Sequence, residues 1–478
     1  MNLKKSEIAV LVVAIIFVSL RLPLERSLAI AAFVGIVFML ARNYYLSLLA
    51  LVGITYTGLA GDFGVSLTIA VMGLGASPAI AFVQKYFIKK ESRIFFPPQA
   101  FAILGLVALA AVFGAAGGDT IPLTVPFGIL PLATGALIIY HTKNMTLAKR
   151  LFWALSIITI IFGIIGIFEG KLFQEGISTI QNRNNLGRSI ITILPLSFAL
   201  LITTLREQKS AQRTAKSAVL FASVLFALFI VFLTGSRGNM IGIGVIMASL
   251  LLDFPKSKAW PALAIVLLLA APFFYWNVEK TVARAGDIAV LVSNGQDASR
   301  DASLASVIER KNLVFDTTGI FFFNPVFGAG FGNSKYLLGA KGYTTPKSGI
   351  YEMPAAEFLN GGANSPEWQK TVDLKDTHDA YTKILAETGI IGALFYAMIL
   401  IFTFIDIFTA KKHFRQNGEQ DGETLTNGAK AAFLGAITFF FFSGDPFYIS
   451  ALVVISIAIA LKNISINLNT KKPVLDYT

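Results

Sequence analysis

The chain has 478 residues, of which 55% are hydrophobic and 14% are charged, and its formal net charge is +12. A soluble domain carries about 25% charged residues, so this composition excludes a water-exposed globular protein. The 41 phenylalanines and the long aliphatic runs exclude a disordered or fibrous chain. The composition predicts an all-α polytopic membrane protein. Because cysteine is absent, disulfides and thiolate catalysis are excluded.

Apolar segments of about 15–22 residues recur along the chain, which is close to the length that crosses a bilayer. Lys4 and Lys5 precede the first segment, and no small-residue cleavage site follows it, so we interpret it as an uncleaved helix. Several segments are short and could pair as re-entrant elements, so 12 and 14 spans are both admissible. The predicted spans are 7–21, 26–41, 45–60, 64–84, 98–117, 121–141, 148–168, 188–206, 217–235, 238–253, 259–277, 386–409, 428–443 and 446–462.

The charge distribution predicts which side of the membrane each connection faces. If the N-terminus is cytoplasmic and the spans alternate, the cytoplasmic segments hold 23 basic and 8 acidic residues. The long outward segment 278–385 holds 11 basic and 12 acidic residues. Excess positive charge on the cytoplasmic face is what the positive-inside rule requires. The net charge therefore indicates topology and contact with membrane lipids, and it does not indicate nucleic-acid binding.

Two outward segments differ from short connectors. Residues 169–187 form a predicted polar loop, and residues 278–385 are too long and polar for a simple connection. Within the latter, Asp301–Val314 is predicted as a short helix. The chain is therefore divided into an N-terminal transmembrane bundle (1–277), an extracytoplasmic loop domain (278–385), and C-terminal transmembrane helices with a cytoplasmic tail (386–478).

His378 is the one histidine predicted to face outward, and it comes just before an apolar run. A lone loop histidine is more often unremarkable than catalytic. Its position at a membrane surface and its acidic neighbours Asp376 and Asp379 favour a functional role. Glu387 follows nine residues later, where a simple charge at a helix N-terminus is the more economical interpretation.

Outward-facing arginines form the second candidate group. Arg237 lies in a glycine-flanked polar turn between two apolar segments, and Arg183 and Arg188 flank the sequence NNLG. Arg310 belongs to the large outward segment. Any one of them could be a surface charge. Together they suit a diphosphate, because a planar guanidinium binds phosphate oxygens in a bidentate manner.

A glycine-rich stretch, Asn324–Asn333, has the sequence NPVFGAGFGN. It lacks the spacing and the Lys-Ser/Thr of a nucleotide-binding loop. We interpret it as a sharp turn in which glycine permits close backbone approach.

These motifs occur in a specific order: SRG at 236–238, the NPVFGAGFGN turn, and HDAY at 378–381 followed by ETG at 387–389. The chain resembles the O-antigen ligase and polymerase superfamily from about Asn182 to about Gly392. That resemblance implies an integral-membrane glycosyltransferase that takes a glycan from undecaprenyl diphosphate on the outer face of the bacterial inner membrane. It implies His378 as the catalytic base and Arg237 and Arg310 as diphosphate-binding groups. Arg310 matches more loosely, because its surroundings lack an aromatic residue that often follows it.

The residues permit a single inverting displacement at the anomeric carbon. Fixed arginines would stabilise the departing diphosphate, and a neutral His378 would take the proton of the acceptor hydroxyl. Arg183, Arg188, Asp379, Tyr381 and Glu387 are further candidates for substrate binding. No cofactor is expected, and the arginines would make a metal ion redundant.

Three functions are compared. A ligase would use lipid A–core as acceptor, and a polymerase would use a second lipid-linked repeat. A transporter of the lipid-linked oligosaccharide is the alternative from another class. Transporters place ionisable groups near the bilayer midplane, whereas the notable residues here cluster in outer segments.

Overall fold

The structure of the protein, a computed structural model, describes most of the predicted membrane helices. The described residues are 97–114, 135, 138–139, 142–169, 183–234, 237–254, 302–330, 333–334, 337–338, 344–346, 372–374, 379–441 and 449–470. The predicted spans between 7 and 84, most of span 121–141 and span 259–277 lie outside them.

The described elements follow in chain order. They are α1 (Pro98–Gly114), α2 (Met145–Glu169), α3 (Arg183–Arg206), α4 (Ala211–Leu233), α5 (Arg237–Asp253), α6 (Ala302–Phe323), β1 (Thr344–Pro346), β2 (Val372–Leu374), α7 (Ala380–Gln416), α8 (Gln420–Phe440) and α9 (Ile449–Thr470). The two strands pair antiparallel, with Thr345 opposite Asp373.

The described part of the chain is a bundle of apolar helices. Within it, 4 helices are long and apolar enough to cross a membrane: Gly187–Arg206, Ala211–Leu233, Ala380–Gln416 and Ala451–Leu468. Two shorter apolar stretches, Pro98–Leu109 and Gly238–Asp253, accompany them. The prediction of an all-α polytopic membrane protein is confirmed, with the short β1–β2 pair as an addition in the large outward segment.

Small residues allow the helices to approach closely. At Gly428 of α8, an added Cβ would lie 2.5 Å from the Cβ of Ala199 and 2.8 Å from the carbonyl oxygen of Pro195, both in α3. Ser156 of α2 and Ser197 of α3 share a hydrogen bond of 2.6 Å. Close backbone approach and interhelical hydroxyl bonds are the usual means of association for helices in lipid.

Ion pairs connect the helices at one end of the bundle. Lys149, near the start of α2, contacts Asp421, near the start of α8, at 2.7 Å. Asp253, the last residue of α5, contacts Lys411 of α7 and Lys430 of α8, each at 2.7 Å. These residues belong to segments that the charge pattern assigns to the cytoplasm, so we call this the inner end and the opposite one the outer end.

Asp406 of α7 is a carboxylate inside the bundle. It is 2% exposed, accepts a hydrogen bond from Gln99 Nε2 of α1 at 2.7 Å, and is paired with Lys462 of α9. It lies five residues before Lys411, about 7.5 Å deeper along the helix. Because both partners are side chains of other helices, the Asp406 carboxylate joins α1, α7 and α9 in the inner half of the bundle.

Several helices begin or end where the sequence did not predict. Residues 183–187 were assigned to a polar loop, but α3 begins at Arg183. Asn and Gly have low helix propensity, which favours a loop here. The close packing of Gly187 against Asn239 favours the helix and outweighs that propensity. Helix α6 extends nine residues beyond the predicted Val314.

Helix α7 begins at Ala380, six residues before the predicted span. Asp379 caps it, because its side chain accepts a hydrogen bond from the amide of Tyr381 at 3.1 Å. Helix α8 also begins earlier than predicted, at Gln420, with Asp421 and Glu423 in its first turn. Acidic side chains are favourable at that end of a helix.

Candidate functional site

The residue after α4, Thr234, and the first turn of α5 lie against the first turns of α3 at the outer end. Asn239 is fully buried and donates a hydrogen bond from Nδ2 to Thr234 Oγ1 at 3.0 Å. An added Cβ at Gly187 would lie 1.8 Å from Asn239 Nδ2 and 3.1 Å from Thr234 Oγ1. A Cβ at Gly187 would therefore displace the buried Asn239 side chain. This contact fixes the backbone of Arg237, two residues before Asn239, beside the start of α3.

Arg188 follows Gly187 and points into the bundle. Its side chain is buried, 6% exposed, and its guanidinium carbon lies 5.5 Å from the ring centroid of Phe439 near the end of α8. A guanidinium over an aromatic face within about 6 Å gains a cation–π interaction. This arginine, which the sequence analysis grouped with the outward-facing arginines, is therefore held in a fixed position by α8.

Tyr381 reaches the same end of α8 from the start of α7. Its hydroxyl donates a hydrogen bond to the carbonyl oxygen of Ile437 at 3.1 Å. Its ring lies 6.1 Å from the ring of Phe440 and 4.6 Å from that of Phe441. Arg188 and Tyr381 thus flank the end of α8, and Asp379 lies two residues before Tyr381 as the helix cap.

The glycine-rich turn docks on a kink in α7. Gly389 has φ 61° and ψ −164° inside the helix, and Gly328 and Gly330 have φ 72° and 95°. The amides of Ala329 and Gly330 donate to the carbonyl oxygens of Ala386 and Glu387 at 2.8 and 2.9 Å. The prediction that glycine permits close backbone approach in this turn is confirmed.

Glu387 lies inside this docked region. It is 1% exposed, and its Oε1 accepts a hydrogen bond from Ser334 Oγ. The interpretation of Glu387 as a simple charge at a helix N-terminus is wrong, because α7 begins seven residues earlier. The glycine turn and the ETG motif were singled out separately, and no sequence signal paired them.

The remaining predicted site residues are only partly described. Arg183 and Arg237 are the first residues of α3 and α5, and Arg310 lies in α6. The side chains of these three are not among those described, and His378 and Asp376 lie outside the described residues. Within the described part of the chain, no three His, Asp or Glu side chains are grouped so as to hold a metal ion.

Comparison with known families identifies the central segment of the chain. Residues 222–397 match the family model described as O-antigen ligase. The resemblance to the O-antigen ligase and polymerase superfamily is confirmed. No curated protein matches the chain.

The ligase-family segment contains the outer-end contacts described above. It runs from within α4 through the turn at Thr234–Asn239, α6 and the docked glycine turn to the kinked part of α7. The match of this segment supports a membrane glycosyltransferase-type function. The first turns of α3, with Arg188, come before the segment, and the end of α8 comes after it.

Proposed function

We propose that the protein is a membrane glycosyltransferase of the O-antigen ligase type. It transfers a glycan from undecaprenyl diphosphate to a sugar hydroxyl of lipid A–core by a metal-independent, inverting displacement. The reaction takes place at the outer end of the bundle, on the periplasmic face of the bacterial inner membrane. The family match supports the reaction class, and the arrangement of arginines at the outer end supports an anionic donor.

The observation that carries the proposal is a pair of helix N-termini that bear arginine. Helix α5 begins with Arg237, and Arg183 and Arg188 lie in the first turns of α3, while neither helix has an acidic residue in its first turn. A helix N-terminus carries partial positive charge, so a cation there is unfavourable by about 0.3–1 kcal/mol. The Gly187–Asn239 contact holds the two N-termini together.

Such a concentration of positive potential is explained by an anion that binds there. Helix N-termini offer free backbone amides to phosphate groups, and guanidinium groups add bidentate hydrogen bonds. Fixed donors stabilise the charge that develops as the anomeric C–O bond breaks, by about 2.7–4 kcal/mol each by analogy with oxyanion holes. We assign this role to Arg237 and Arg310, with Arg183 and Arg188 binding the same donor.

His378 is assigned as the base for the acceptor hydroxyl. In the sequence it directly precedes Asp379, the residue that caps α7. A positioned imidazole contributes about 10²–10⁴-fold to such a proton transfer. Asp379 caps α7, Tyr381 holds the start of α7 against α8, and Glu387 positions the docked turn.

The experiment is a transfer assay with purified protein in vesicles, undecaprenyl-diphosphate glycan and lipid A–core. We expect Arg237→Lys to lower the rate by about 10²–10³-fold, because lysine keeps the charge and loses the planar fork. Arg188→Lys tests the described side chain in the same way. The matched control is Arg415→Lys at the inner end, where the side chain is 67% exposed and pairs with Glu423. Equal activity of all three variants would contradict the assignment.

The acceptor is tested in the same vesicles. We expect transfer to lipid A–core and no elongation when a second lipid-linked repeat is the only acceptor. Repeat ladders without lipid A–core would instead identify a polymerase with the same donor chemistry. Movement of the lipid-linked glycan across the bilayer without transfer would identify a transporter.

A further inference from the structure

The second half of helix α6 carries apolar side chains on two opposite faces. Leu313 and Ile320 are buried in a cluster with Ala386 of α7. Phe315 and Phe322 lie on the other side of α6, and their side chains are 79% and 72% exposed. Apolar side chains on this second face require an apolar environment there as well.

The exposed apolar surface continues beyond the end of α6. Phe323 and Val326 are 84% and 49% exposed. The carbonyl oxygens of Pro325 and Val326 accept hydrogen bonds from the amides of Ile390 and Ile391 at 2.9 and 3.4 Å. The outer tip, defined as Phe322, Phe323 and Val326, therefore lies level with Ile390–Ile391 of α7.

The position of Ile390–Ile391 relative to the bilayer follows from the distance along α7 to its inner end. Lys411 pairs with Asp253 there, and the helix from Ile391 to Lys411 has regular geometry, since the kink at Gly389 comes before it. Twenty residues of helix span about 30 Å, which is the thickness of the hydrocarbon core. Ile391 thus marks the outer boundary of the hydrocarbon.

The lipid-facing surface of α7 leads to the outer tip. Exposed side chains follow one another at helical spacing along α7: Ile390, Leu394, Ile401, Ile405 and Phe408. This spacing indicates one continuous face toward lipid. The outer tip adjoins the upper end of that face, beside Ile390.

We propose that the outer tip inserts into the outer leaflet of the bilayer, where phospholipid covers Phe322, Phe323 and Val326 at the boundary between headgroups and hydrocarbon. The large outward segment is thereby anchored to the membrane through α6. Anchoring holds the docked glycine turn and the start of α7 at the membrane surface. The inference does not depend on the proposed glycosyl transfer.

The test uses the absence of cysteine from the chain. Phe323→Cys and, as a second site, Val326→Cys are introduced into the full-length protein and labelled with an environment-sensitive fluorophore. The control is Asn312→Cys, an exposed polar position on the same helix, about 16 Å along the axis from Phe323. The vesicles contain phosphatidylethanolamine and phosphatidylglycerol with bromine near the top of the acyl chains, and no polyprenyl lipid.

We expect blue-shifted emission at both tip positions and quenching at least about twofold greater than at Asn312, as for side chains buried about 5–10 Å into the interface. Water-like emission with quenching equal to that of Asn312 at both tip positions would overturn the proposal. So would quenching that appears only after polyprenyl phosphate is added, since the covering lipid would then be the donor.

Discussion

The docking of the glycine-rich turn on α7 leaves no room for a side chain at Gly328. A Cβ there would lie 2.3 Å from the backbone carbonyl carbon of Glu387 and 2.4 Å from the amide nitrogen of Thr388. Both atoms belong to backbone and cannot rotate away. We therefore expect Gly328→Ala to displace the turn from α7.

The cost follows from the interactions that are lost. A left-handed backbone conformation costs a non-glycine residue about 1–2 kcal/mol, and Gly328 has φ 72°. Four backbone hydrogen bonds join the turn to α7, from Ala329, Gly330, Ile390 and Ile391. At about 0.5–1.5 kcal/mol each they contribute about 2–6 kcal/mol in total. A variant that loses the docking should therefore be less stable by about 2–6 kcal/mol.

The assay is thermal unfolding of the purified protein in detergent, together with glycan transfer in vesicles. The matched control is Gly319→Ala in α6, where an added Cβ meets nothing within 4 Å. In a helix interior this change is expected to stabilise by about 0.4–1 kcal/mol. If Gly328→Ala unfolded at the same temperature as Gly319→Ala and kept full activity, the role assigned to the docked turn would be refuted.

The remaining predictions concern both ends of the bundle and the metal question. Asp253→Asn should destabilise by about 1.5–3 kcal/mol, because two lysines lose the charge of their shared partner. Glu423→Gln, at an exposed pair, should cost under about 1 kcal/mol. Equal unfolding midpoints for the two variants would contradict this. Gly187→Ala should strongly lower the rate of glycan transfer in vesicles, because the added Cβ meets Asn239. Gly244→Ala is the control and should leave that rate unchanged, because an added Cβ there meets open space. Transfer should be unchanged by EDTA, and loss that Mg²⁺ reverses would show that a metal ion is required.

The number and order of the described membrane helices could be predicted from hydropathy, because a helix satisfies its own backbone hydrogen bonds in lipid and must be long and apolar to cross it. Their ends could not. Polar residues such as Asn184 and Gln420 were assigned to loops, yet they lie in the first turns of α3 and α8. Tight packing at Gly187 and the acidic first turn of α8 stabilise those turns, and hydropathy detects neither.

The sequence singled out separate motifs, and the structure shows which of the described ones are in contact. Motif order indicated Arg237, the glycine turn and the start of α7. The contact of Arg188 with Phe439 and the docking of the turn beside Glu387 join segments that are far apart in sequence. Such contacts depend on helix packing, which a single sequence specifies only through many weak interactions.

The central claim is that an imidazole and fixed arginines share one site at the outer end of the bundle. The most direct measurement is single-turnover transfer by purified His378→Ala with saturating lipid-linked donor, alongside donor binding by the same variant. The account predicts a rate lower by about 10²–10⁴-fold with donor binding retained. Transfer at the full rate would contradict it.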